Sequence, residues 1–201
     1  ASLPGEDAVI DAIFRQYGVH RAVTTEDLVD IAYAAIKGRK PTGRRLGLVT
    51  ISGGVGVLMA DAAEDCGLDV APMPAKAQAS LTDLIPFAAP RNPVDVTAQI
   101  LNELDKLPQF FSTLIVEGKY DTVLAFFTSG ASTKTSAAKF LAAIQQMRQE
   151  HPEQFIVLSL LANEDEVKSY EELGFPVFPD ASRAVAAIAA VIRFVEAHDR
   201  L

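Results

Sequence analysis

Gly47-Leu48-Val49-Thr50-Ile51-Ser52-Gly53-Gly54-Val55-Gly56-Val57-Leu58-Met59 passes from a short apolar run, through glycines at Gly53, Gly54 and Gly56, into a second apolar run. That is the pattern of a buried strand turning directly into a helix. Glycines at such a junction let the backbone approach a ligand, while free amides and the positive end of the helix dipole attract an anion. A phosphate is the natural guest. The spacing is not the Gly-x-Gly-x-x-Gly fingerprint of dinucleotide sites, and no Lys-Ser or Lys-Thr pair follows as in a P-loop. Ser52, Gly53, Gly54, Val55 and Gly56 are therefore the candidate phosphate cradle. A tight turn that holds no ligand is the alternative for the same residues.

Downstream of this stretch, short apolar runs alternate with amphipathic ones, the signature of a parallel sheet covered by helices on both faces. The predicted strands are 46–51, 68–71, 122–128, 155–161 and 176–178. Between them fall predicted helices at 57–66, 77–85, 102–117, 136–150, 164–173 and 181–198. Five strands alternating with helices suggest a flavodoxin-like α/β fold of order 2-1-3-4-5 rather than a six-stranded dinucleotide-binding order. Upstream, Val9, Ile10, Ile13, Phe14 and Tyr17 recur at helical spacing, and Gly18 stops that helix. Thr24, three residues ahead of Asp27, opens a second helix whose stripe is Leu28, Ile31, Ala32, Ala35 and Ile36. The chain accordingly divides into a helical lead-in and linker, 1–43, and the flavodoxin-like domain, 44–201. The basic run Lys37, Arg39, Lys40, Arg44 and Arg45 reads as a solvated part of that linker.

A net charge of -8 argues against a nucleic-acid partner or an anionic membrane surface, since both reward fields of Lys and Arg. The 49% hydrophobic content of the 201 residues is ample for a core. No apolar run approaches the about 20 residues that span a bilayer. Cys66 is the one cysteine, and no Cys/His spacing resembles a metal site, so a reducing, cytoplasmic compartment is expected. The start at Ala1-Ser2-Leu3, without an initiator Met, suggests a piece of something longer.

Two further segments supply polar groups, the first expected in the loop entering the middle strand region and the second at the carboxyl end of an apolar strand, where ligands of open α/β folds gather. In Arg91-Asn92-Pro93-Val94-Asp95-Val96-Thr97, the candidates Asn92, Asp95 and Thr97 serve either to fix a loop or to meet a ligand. In Thr128-Ser129-Gly130-Ala131-Ser132-Thr133, the candidates Thr128, Ser129 and Gly130 either join an anion site or cap the next helix. His20, His151 and His198 carry no recognisable catalytic context, and helix-end electrostatics account for the latter two. By its residues alone, the chain offers a binding surface and no catalytic centre.

The ordered set of Gly47 to Asp61, then Gly67-Leu68, Leu81 to Pro86 and Asn92-Pro93-Val94-Asp95-Val96-Thr97, resembles the ligase-CoA domain of nucleoside-diphosphate-forming acyl-CoA synthetases. These enzymes are similar to succinyl-CoA synthetase and include the ADP-forming acetyl-CoA synthetases. The lead-in, Gly5 to Val9 and Phe14 to Val19, resembles the segment that joins the family's two flavodoxin-like domains. The resemblance implies a part in converting an acid, CoA and a nucleoside triphosphate into acyl-CoA, a nucleoside diphosphate and phosphate, through an acyl phosphate and a phosphohistidine. It makes Ser52 to Gly56 one of two helix N-termini that cradle the phosphohistidine.

The resemblance also implies what lies elsewhere. The family's catalytic histidine belongs to a His-Thr-Gly-like motif upstream of the segment matching Leu3-Pro4-Gly5, and His20 does not match it. No catalytic residue, bound cofactor or metal is therefore expected in these residues, and the chain alone is expected to be inactive. CoA, ATP or another nucleoside triphosphate, and Mg belong to the full enzyme. The expected partners are its CoA-binding Rossmann-type domain, its ATP-grasp domain and a small organic acid, a homo-oligomer being compatible with these. Alternative parents are a protein lysine acetyltransferase with a regulatory synthetase-like region, or a non-catalytic flavodoxin-like module for ligand binding or assembly.

Overall fold

A computed structural model describes residues 4–133 and 135–199; Ala1 to Leu3 at the start of the lead-in, Lys134, Arg200 and Leu201 lie outside them. The order is α1 Pro4–Gln16, α2 Thr25–Lys37, β1 Leu46–Thr50, α3 Gly53–Asp65, α4 Ala75–Leu84, β2 Val94–Asp95, α5 Leu107–Ser112, β3 Thr122–Thr128, α6 Ala137–Glu150, β4 Phe155–Leu160, α7 Glu164–Glu172, β5 Val177–Phe178 and α8 Ala181–His198. Short 3-10 turns cover Ala98–Asn102, Leu104–Lys106 and Gly130–Ser132. The sheet has five parallel strands in the order β2-β1-β3-β4-β5. This is the flavodoxin-like order expected from the alternation of runs.

Burial on both faces explains why the strands read as continuous apolar runs. Val49, Val123, Ala125, Phe127, Ile156 and Leu158 point into one core, closed by α4, α5, α6 and Tyr170 of α7. Their neighbours Leu46, Leu48, Leu124, Phe155 and Val157 point into the other, closed by α3, α8 and Ala34 of α2. Gly47 belongs to the first face because Tyr120 occupies the space: an added Cβ would stand 2.8 Å from its ring. Burial pushes the Tyr120 phenol up to about 12, and its hydroxyl donates to the Ala71 carbonyl at 2.9 Å.

The second strand differs from the expected 68–71. That segment contributes one bridge, Asp69 to Arg45. The Asp69 side chain then accepts from the amide of Ala71 at 2.8 Å and turns the chain away. Val94–Asp95 is the strand instead, paired with Val49 and Thr50. Between bridge and strand the side-chain amide of buried Asn92 stands in for backbone, accepting from the Leu48 amide at 2.8 Å and donating to the Leu46 carbonyl at 2.9 Å. The expected single helix over 102–117 is also broken, into a 3-10 turn, α5 and a π-helical turn, Thr113–Glu117. Pro108 in the first turn of α5 has no N–H to continue an earlier helix and favours a new start.

The lead-in is fastened to the domain. Arg183 of α8 forms a two-pronged pair with Asp30 of α2, both bonds 2.8 Å. Tyr33 donates to Glu171 at 2.9 Å and accepts from the amide of Val177 at 2.9 Å. The basic run expected to be solvated is instead engaged along its length. Lys37 meets Glu171, Lys40 meets Asp199, Arg44 meets Glu196 and Arg45 faces Asp69, while Arg39 donates to the Pro152 carbonyl. Among the described residues no helix is long and apolar enough to cross a membrane.

Candidate functional site

The carboxyl edge of the sheet is where β1 meets α3. Thr50, fully buried at the end of β1, clasps the turn with its hydroxyl, accepting from the Ser52 amide at 2.9 Å and donating to the Ser52 carbonyl at 2.8 Å. Ser52 is the extended residue before the helix, and its side chain makes no capping bond. The helix begins at Gly53, so the glycines form its first turn, where a loop ahead of a helix starting near Val57 was expected. The Gly56 amide returns to the Ser52 carbonyl at 3.0 Å. Among the described residues no group accepts from the amides of Gly53, Gly54 and Val55, and no acidic side chain lies in the first turn. Three open N–H groups at a helix start can hold one tetrahedral oxyanion at about 2.9 Å each.

The glycines serve different purposes. At Gly54 an added Cβ would meet nothing within 4 Å, so this face of the turn is open. At Gly56 a Cβ would stand 3.1 Å from the Thr50 methyl and 3.3 Å from Pro93, so its lack of a side chain lets α3 sit close against the sheet edge. At Gly53 the nearest atom would be Oδ2 of Asp95, 3.2 Å away. The structure thus brings Asp95 to the cradle. Its other oxygen accepts from the Thr97 amide at 2.8 Å.

The remaining candidates frame this edge. Asn92 is occupied by the β1 backbone, as described. Thr97 has φ 49 and ψ 168, a region that costs a β-branched residue about 1 to 3 kcal/mol, and its hydroxyl accepts from the Gln99 amide. Thr128, at the end of β3, also has a positive φ of 49; it follows a register shift against β4, and its hydroxyl accepts weakly from the Gly130 amide at 3.4 Å. Ser129 leads into the Gly130–Ser132 turn without a side-chain capping bond. Gly130 packs on Leu101 with no room for a Cβ, and its carbonyl accepts from Ser136. These three stand at the same edge, one strand from the cradle, tied to their own loop. The clasp by Thr50 went unread in the sequence because a Thr inside an apolar run looks like an ordinary strand residue.

All three histidines lie away from the cradle. His20 pairs with Asp27 at 3.4 Å, His151 follows α6 beside Ser112 at 2.6 Å, and His198 ends α8. Burial pushes the Cys66 thiol up. Among the described residues no group of three or more His, Cys, Asp or Glu is arranged to hold a metal ion. On the outer side of α3, directly after the glycines, Val57 and Leu58 are 60% and 62% exposed.

The model of the Ligase-CoA domain family matches residues 46–201. Subunit alpha of the ADP-forming acetate–CoA ligase I of Pyrococcus furiosus is 26% identical over 193 residues, covering 96% of this chain and 42% of that protein. The crystal structure of PH0766 from Pyrococcus horikoshii OT3 superposes with a TM-score of 0.78 at 23% identity, over 96% of this chain and 45% of its own. The apo form of the dinucleotide-forming acetyl-coenzyme A synthetase 1 of Ca. Korarchaeum cryptofilum gives 0.76 at 21% identity, over 98% and 43%. The chain spans less than half the length of these relatives.

Proposed function

The chain belongs to the Ligase-CoA domain family, and from that premise we propose that it is the part of an ADP-forming acyl-CoA synthetase that holds the phosphoryl group carried on a histidine of another segment. The observation that carries this reading is the first turn of α3. Among the described residues its three amides meet no protein acceptor, and an added Cβ at Gly54 would meet nothing within 4 Å. Such a turn stabilises phosphoryl charge by fixed dipoles that need no rearrangement as the group arrives. Thr50 and Gly56 hold the turn against the sheet, so the amides are already aimed.

The exposed Val57 and Leu58 support a covering partner, because apolar side chains beside an anion site gain by being shut away with it. In this reading the partners are the CoA-binding and nucleotide-binding domains of the same enzyme. They supply the histidine, CoA, the nucleotide and magnesium, and the small organic acid enters between the domains. The isolated chain then forms no acyl-CoA.

Gly54→Val in the full-length enzyme tests the reading. The new side chain has room in this domain, so melting temperature should hold while phosphohistidine falls at least tenfold. Wild-type phosphohistidine in a correctly folded variant would sink the cradle.

A further inference from the structure

A concentration of cationic side chains lies at the other end of the molecule, where the lead-in crosses α8. A cavity of about 400 Å³ opens there between α1, the turn at Gly18 to Arg21, and the last turns of α8. Its wall is built by close packing: Gly18, with φ +67, stands so near Ala197 that an added Cβ would collide with it at 2.2 Å. Phe14, Phe194 and Ala197 give the cavity apolar surface.

Four arginines, Arg15, Arg21, Arg44 and Arg193, line the cavity, against the carboxylates of Asp11 and Glu196. Arg21 is engaged by Asp7 and Asp11. Arg44 meets Glu196 through two nitrogens. Among the described residues Arg15 and Arg193 meet no carboxylate, although they come from separate helices that converge here. A positive cavity on a chain of net charge -8 is the reverse of the surface around it. Its concave and partly apolar walls strengthen the field of each charge relative to an open surface.

We propose that this cavity is an anion site distinct from the cradle, taking a small polyanion whose charged groups are shared between Arg15 and Arg193. Guanidinium groups suit this task because each presents a planar fork of donors to phosphate or carboxylate oxygens. The site is independent of the reading of the first turn of α3, which lies at the opposite edge of the sheet.

The test is calorimetric titration of the 201-residue chain at low ionic strength with pyrophosphate and, separately, with citrate. It is made in a Gly54→Val background so that the cradle does not contribute. Binding of either polyanion, weakened at least tenfold by Arg15→Ser with Arg193→Ser and weakened by added salt, is the expected result. Tight pyrophosphate with weak citrate would identify phosphoryl groups as the ligand chemistry, and equal affinities would identify charge alone; both support the site. Both arginines are exposed and, among the described residues, without a carboxylate partner, so the double variant should fold, as an unchanged melting temperature will show. Binding of neither polyanion, or binding that the arginine substitutions leave intact, would overturn the proposal.

Discussion

The two ends of the sheet treat their polar groups in opposite ways. At the carboxyl end the first three amides of α3 meet no acceptor among the described residues, and Thr97 and Thr128 hold positive φ values that their branched side chains disfavour. At the amino end backbone carbonyls are gathered onto one buried cation, although the buried Thr122 hydroxyl there has no partner among the described residues. Arg148 there is buried and donates to five carbonyls, those of Leu173, His151, Pro152, Gln154 and Gly174. Its guanidinium also lies 4.2 Å from the centre of the Phe175 ring. It has no acidic partner among the described residues, and burial pulls its pKa down to about 10. Strained backbone costs stability, so a fold that keeps it at one end must recover it elsewhere.

If that division is correct, stability should respond most strongly at the amino end. Arg148→Ala strips donors from several carbonyls at once and should cost about 3 to 4 kcal/mol, read as a fall in melting temperature of roughly 10 °C. Arg148→Lys should restore only part of it, since an ammonium cannot span the same carbonyls. A loss below about 1 kcal/mol in urea unfolding would show that the cluster is not what holds this end together.

At the carboxyl end the comparison sharpens to strain. Thr97→Ala and Thr97→Gly both remove the hydroxyl that accepts from Gln99, and only the second removes the disfavoured Cβ. The Gly variant should therefore be the more stable by about 1 kcal/mol. Equal stabilities would mean that Thr97 stores no strain.

The smallest effect concerns pH. Burial lowers the pKa of His151 from its ordinary 6.5, outweighing nearby Glu150. The folded chain thus favours the neutral ring, which lies 2.6 Å from the Ser112 hydroxyl. That contribution is complete above pH 6.5 and lost as pH falls through the lowered folded value. Urea midpoints from pH 8 to about 5 should show the wild type losing ground to His151→Gln. Parallel curves would contradict the assignment.

The contrast between the ends also explains what could be read from the sequence. β1, β3, β4 and α8 are continuous apolar or 3.6-periodic runs, and local pattern suffices for them. β2 is two residues long and shares its edge with the Asp69 bridge and the Asn92 side chain, so it leaves no run to recognise. The linker cations looked solvated because Glu171, Glu196 and Asp199 lie more than a hundred residues away in sequence. At the proposed cradle the glycines marked the strand-to-helix turn. Two details depended on tertiary structure: the glycines are the helix's own first turn, and Thr50 clasps it from beneath.

Amide NMR of the 201-residue chain during titration with inorganic phosphate tests the central claim most directly. The account predicts saturable shifts of the Gly53, Gly54 and Val55 N–H signals, with the fold unchanged. Signals of those three residues that stay fixed, while phosphate shifts amides elsewhere or none at all, would contradict it.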